Sequence, residues 1–173
     1  MKTWIALLRG INVGGRHVVP MRELRAALED SGFGKVRTYI QSGNLVFDHA
    51  TKPGQEIADL IEREFGFRPE VFVMSGSDLG KAIANNPYRG AGGSTVHFFF
   101  CDKAPKSVDY DLLDTLKIGS ERYELVGKVF YLHAPDGIGR SILVQKLGKA
   151  IPGVTMTARN LNTISKLAAM LGD

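Results

Sequence analysis

Val36-Arg37-Thr38-Tyr39-Ile40-Gln41-Ser42-Gly43-Asn44-Leu45-Val46-Phe47-Asp48 reads as two strands folded back on one another, and the helices on either side of it decide the fold. Residues 36–41 and 44–48 alternate as strands, with Ser42-Gly43 between them as the hairpin signal. Upstream, the apolar run at 1–8 predicts a short buried strand that ends in a glycine-containing loop, 9–19. A helix follows: Pro20 suits its first position, Met21, Leu24 and Leu28 share one face, and Gly32 stops it. Downstream, Ile57, Leu60, Ile61 and Phe65 form the stripe of a second helix that begins near Pro53 and ends at Gly66, and 70–74 is a fourth strand. The order is β-α-β-β-α-β, the split-βαβ or ferredoxin-like arrangement.

The same order recurs further on. Ser75 and Asp78 have the spacing of a capping box for a helix carrying Leu79, Ala82 and Ile83, and Arg89-Gly90-Ala91-Gly92-Gly93-Ser94 looks like a linker. Then come a strand at 95–101, a short helix at 109–117, strands at 122–126 and 128–134, a helix at 141–147 and a strand at 154–157. A last helix places Ile164, Leu167, Ala168 and Leu171 on one face. Tyr39, Gly43 and His49 match Tyr123, Gly127 and His133 at a constant offset, a faint internal repeat. The expected class is therefore α+β, a duplicated ferredoxin-like fold. Residues 1–74 form the first half, 75–94 a connecting helix and linker, and 95–173 the second half with a C-terminal helix.

Composition narrows the setting. With 44% apolar residues the chain has enough to bury a core, and disorder is excluded as its main state. The net charge of +4 is a mild basic excess that allows a polyanionic partner without requiring one. Cys101 is the single cysteine, so no internal disulfide forms, and a reducing, cytoplasmic compartment is expected. The apolar run at 4–8 is too short for a signal segment or a membrane span.

Topology predicts which loops meet. In each half the loop leaving the first strand and the hairpin tip share one end of the sheet. That brings Arg9, Asn12, Gly14 and Gly15 beside Gln41, Ser42 and Asn44. The same rule ends the third and fourth strands together, which brings the loop 136–141 with Arg140 beside 157–163 with Arg159, Asn160 and Asn162. Both clusters join glycine, arginine and side-chain amides near a helix N-terminus, a pattern suited to phosphate or carboxylate. The same asparagines and glycines also serve turns and caps, and either Asn160 or Asn162 is expected to cap the last helix.

Other chemistry is thinly supported. No G-x-G-x-x-G, P-loop, H-E-x-x-H, C-x-x-C or G-x-S-x-G occurs, and His17, His49, His97 and His133 show no metal-ligand spacing, so neither a metal nor a cofactor is expected. Asp109, Asp111 and Asp114 fall in the opening of a short helix without the glycine or terminal glutamate of a calcium loop. Cys101 follows Phe98-Phe99-Phe100 and reads as a buried, inert thiol. Those rings, with Phe130-Tyr131, invite comparison with RNA-binding sheets, but the RNP1 pattern is absent and strand core is the preferred reading.

The stretch Leu7-Leu8-Arg9-Gly10-Ile11-Asn12-Val13-Gly14-Gly15, with Val19-Pro20-Met21, Tyr39-Ile40-Gln41-Ser42-Gly43-Asn44 and Thr157-Ala158-Arg159-Asn160-Leu161-Asn162-Thr163, resembles the domain-of-unknown-function family 1697. The resemblance implies a bacterial protein with the duplicated fold, and no activity or functional residue. Leu161 stands where the family's motif usually has tryptophan. The functions to be weighed are binding of a small anionic or phosphorylated ligand, a nucleic-acid-binding module, an enzyme using groups such as His17, Asp48 or Asp136, and an assembly role.

Overall fold

The computed structural model describes residues 1–173 in full. The chain forms β1 (Lys2–Arg9), α1 (Met21–Asp30), β2 (Gly34–Tyr39), β3 (Asn44–His49), α2 (Gly54–Phe65), β4 (Glu70–Ser75) and α3 (Gly76–Ala84). It continues with β5 (Val96–Cys101), α4 (Tyr110–Leu116), β6 (Arg122–Val126), β7 (Val129–His133), α5 (Ile142–Gln145), α6 (Leu147–Ala150), β8 (Met156–Asn160) and α7 (Leu161–Met170). Two four-stranded antiparallel sheets result, ordered β2-β3-β1-β4 and β6-β7-β5-β8. This is the duplicated ferredoxin-like α+β fold. No helix is long and apolar enough to cross a membrane.

The chain divides into two compact units, Met1–Lys81 with Lys166–Asp173, and Ala82–Ser165. The last turns of α7 thus belong with unit 1, whereas the sequence reading leaves that helix whole with the second half.

In unit 1 the central strand β1 carries four consecutive buried residues, Ile5, Ala6, Leu7 and Leu8, as a strand covered on both faces must. Ala6 and Leu8 join Leu45 and Phe47 under the apolar stripes of α1 and α2, with Leu24, Leu28, Ile57 and Ile61 fully buried. Ile5, Leu7 and Val46 point to the other face and are buried as well. Arg37 on β2 donates from its guanidinium to the Met170 and Asp173 carbonyls. It supplies positive charge at the C-terminus of α7, whose last turn has no basic residue of its own.

Unit 2 repeats the plan. Phe99, Phe130 and Leu132 pack beneath Leu113, Leu143, Leu147 and Ala150. On the opposite face Phe98 meets Tyr131 edge to face at 4.8 Å, and the Tyr131 hydroxyl donates to the Ala82 carbonyl at 2.5 Å. All six residues of β5 are buried, which places the Phe98 to Phe100 run in the core. The Cys101 thiol is buried there too, and burial pushes its pKa up to about 11.

Local signals hold where they are self-contained. Ser75 and Asp78 form a reciprocal capping box, Asp78 accepting from the Ser75 amide at 3.2 Å while Ser75 Oγ accepts from the Asp78 amide at 3.1 Å. Asp109 caps α4 by accepting from the Leu112 amide at 3.0 Å. Three expectations shift. The helix at 141–147 is two four-residue helices, α5 and α6, broken at Lys146 with φ −109° and ψ 12°. The last strand runs to Asn160 instead of ending at Thr157, so Arg159 and Asn160 are strand residues. The Tyr39 and Tyr123 repeat is out of register: Tyr39 pairs with Asn44 at its hairpin tip, whereas Tyr123 pairs with Leu132 inside β6.

Candidate functional site

The first cluster assembles at one end of the unit 1 sheet. Leu7 pairs with Asn44, and the Leu8 amide donates to the Gly43 carbonyl at 2.8 Å, so β1 delivers its outgoing loop to the β2–β3 tip. Ile11 plugs the junction at 1% exposure. Gly43, at φ +86°, is required there: a Cβ would lie 2.7 Å from Ile11 Cδ1 and 2.8 Å from Leu8 Cβ.

Asn12 locks the two loops together. Its Nδ2 donates to the Val19 carbonyl at 2.9 Å and the Gln41 carbonyl at 2.8 Å, and its Oδ1 accepts from the Val19 amide at 2.7 Å. Between these anchors the chain makes a miniature hairpin. The Asn12 amide donates to the His17 carbonyl, and the Arg16 amide to the Val13 carbonyl, both at 3.0 Å. Gly14 and Gly15 form its two-residue tip with φ of +59° and +72°, the paired positive values of a type I′ turn. His17 stacks on Phe67 at 4.3 Å and fixes the base of the hairpin. Asn44 is fully buried and donates to the Tyr39 carbonyl and Ser42 Oγ, both at 3.0 Å.

The amides of Asn12 and Asn44 are therefore committed to the scaffold. Arg9, Gly14, Gly15, Arg16, Gln41 and Ser42 present the exposed surface, with Arg9 opposite Glu70 in the β1–β4 register. Arg16 belongs to this surface although the sequence pattern does not single it out; its position beside the glycine pair is the available signal.

The second cluster does not gather in the same way. β7 and β8 end at the same end of their sheet, but β5 lies between them. Met156 and Ala158 pack into the helix-side core, so by alternation Thr157 and Arg159 face the other side. Arg159 is 8% exposed, and its guanidinium donates to Thr157 Oγ1 and the Ala158 carbonyl, both at 2.8 Å. Burial lowers its pKa to about 10, which leaves it charged at neutral pH. Arg140 is exposed on the loop that enters α5, on the helix side.

That loop is held by Glu121, a buried carboxylate that accepts from the Ile118 amide at 2.9 Å and Ser141 Oγ at 2.7 Å. Ser141 in turn caps α5. Sequence reasoning missed Glu121, because nothing local distinguishes an acid that will be buried from one that will not. Asn160 is the cap of α7, accepting from the Thr163 amide at 2.9 Å. Asn162 sits one residue inside the helix, and its side chain occupies the place where Gly93 would carry a Cβ.

Two of the groups weighed for acid–base work, His17 and Asp48, lie apart within unit 1. His17 is at the loop end of unit 1, while Asp48 accepts from Thr3 Oγ1 at 2.7 Å at the other end of the same strands. Asp136 in unit 2 accepts from Ser120 Oγ at 2.6 Å.

A family model described as "Protein of unknown function (DUF1697)" matches residues 1–131. Among solved structures, that of a conserved bacterial protein, SP0830 from Streptococcus pneumoniae, is similar at a TM-score of 0.70 and 25% identity, over 98% of each chain. No curated protein matches the chain.

Proposed function

We propose, for a chain that belongs to the family described as Protein of unknown function (DUF1697), that it binds a small anionic or phosphorylated group at the loop cluster of unit 1. One observation carries the reading: Asn12 rigidifies a glycine-tipped hairpin whose exposed side chains include Arg16, beside exposed Arg9 and Gln41. A fixed backbone with glycine at the tip admits close approach of an anion to main-chain amides, and the guanidinium groups supply charge. Unit 2 is the weaker candidate, because Arg159 is buried across the sheet from Arg140. A nucleic-acid module has less behind it, since Phe98, Phe100 and Tyr131, the rings that would stack on bases, are core residues. A cytoplasmic setting is part of the same reading and rests on the lone, buried Cys101.

The test is thermal unfolding with a panel of nucleotides, sugar phosphates and organic acids. A ligand at roughly a hundred times its Kd stabilises by about 2.7 kcal/mol. The reading expects at least one panel member to raise Tm in the native chain and to lose that effect in the Arg9→Ala, Arg16→Ala double variant. A panel that moves neither Tm nor the amide resonances of 9–20 and 39–44 overturns it.

A further inference from the structure

We infer that the anionic group taken by this loop is carried on an acidic segment of another protein, whose apolar side chains dock on Val13, Val18 and Ile40; the inference rests on the anion reading above. These three are exposed at 64%, 61% and 50%, and all lie on the two loops that Asn12 ties together. Single exposed aliphatics are ordinary, whereas each of these three is next in sequence to Asn12 or to a residue it bonds, Val19 or Gln41.

Ile40 is the informative member. The loops take left-handed backbone at Gly10, Asn12, Gly14, Gly15, His17, Ile40 and Gly43, and of these Ile40 is the β-branched one. At Ile40, φ is +49°, a region strongly disfavoured for a β-branched residue. Neither the backbone nor the core accounts for isoleucine at a half-exposed, strained position, so the side chain is there for what it meets outside. Strain retained at an exposed tip is a mark of function when the observed outlier comes first.

Charge identifies what it meets. Residues 9–20 contain Arg9 and Arg16 and no carboxylate, and 39–43 contain none either; Arg22 is followed by Glu23, and Glu70 stands opposite Arg9 in register. Arginine is enriched at protein interfaces. Branched aliphatics do not stack on bases, which sets nucleic acid aside. None of the side chains of Val13, Val18 and Ile40 lines the pocket of about 180 Å³ that unit 1 carries between α2 and the start of β4.

The experiment titrates the full chain with a short peptide of alternating Glu and Leu, with its Glu and Ser counterpart, and with inorganic phosphate, by calorimetry and amide NMR. The Glu–Leu peptide is expected to bind most tightly and to shift 9–20 and 39–44. In Ile40→Gly, affinity for that peptide falls about tenfold, the loss of one well-buried aliphatic contact, while Tm rises because glycine accepts the left-handed backbone. A merely structural role for Ile40 would move Tm without this loss. Equal binding of the two peptides, or Glu–Leu peptide binding that Ile40→Gly leaves unchanged, overturns the acidic-apolar partner and leaves the anion reading standing. Failure of all three probes to bind removes both.

Discussion

The hairpins at the centre of each half have diverged at their tips while keeping their frames. In unit 1, Tyr39 pairs with Asn44 across a four-residue loop, Ile40 to Gly43, that bonds to the outgoing loop of β1. In unit 2, Val126 pairs with Val129 across Gly127-Lys128 alone. A two-residue turn closes a hairpin with nothing left over, whereas the longer tip adds backbone carbonyls and side chains that another loop can grip. The duplicated frame is shared; the material for a site is present in unit 1.

The sharpest way to break this contrast is to give each hairpin glycine a methyl group. Gly43→Ala combines a left-handed backbone with overlap on Ile11 and Leu8, and is expected to cost about 3–5 kcal/mol in chemical denaturation. Gly127→Ala, at φ +59° with open space around it, is expected to cost about 1 kcal/mol. Equal costs would show that the tip of unit 1 is no more tightly engaged than that of unit 2. Next, Asn12→Ala strands the Val19 amide and the Val19 and Gln41 carbonyls, a loss of about 1–3 kcal/mol. Its amide exchange should quicken across 10–19 and leave unit 2 unchanged. In unit 2, Tyr131→Phe removes one buried hydrogen bond and is expected to cost about 1 kcal/mol.

The gentlest handle is pH. Burial lowers the His97 imidazole below its ordinary 6.5, and its Nε2 is buried with no hydrogen-bond partner. Below that value the unfolded chain takes up a proton that the native state resists. Stability should therefore decline as pH falls from about 6.5 toward the native pKa. His97→Leu should flatten this dependence; an unchanged slope in denaturation midpoints between pH 7 and pH 5 would assign it to other groups.

Much of the architecture is legible in the sequence because it is written in local terms. The order of elements follows from periodicity, the start of α3 from the Ser75 and Asp78 pair, and the meeting of the first loop with its hairpin from strand order. What stays hidden depends on partners distant in sequence. Arg159 reads as a loop residue because it is charged, yet pairing with Phe98 carries β8 through it. The loop holding Arg140 is anchored by Glu121, about twenty residues upstream, and no spacing rule connects them. Asn12 and Asn44 are visible as candidates, but only the folded chain reveals that their amides serve the scaffold while Arg16 and Ile40 are exposed. A turn residue and a ligand residue look alike until hydrogen bonds are assigned.

The central claim is that the anion site lies on the unit 1 loops, and residue-resolved amide NMR with inorganic phosphate tests it most directly. The account predicts saturable shifts at Gly14, Gly15, Arg16 and Gln41, absent in the Arg9→Ala, Arg16→Ala variant, with Gly127, Lys128 and 137–140 unmoved. Shifts confined to the unit 2 loops, or none at saturating phosphate, would contradict it.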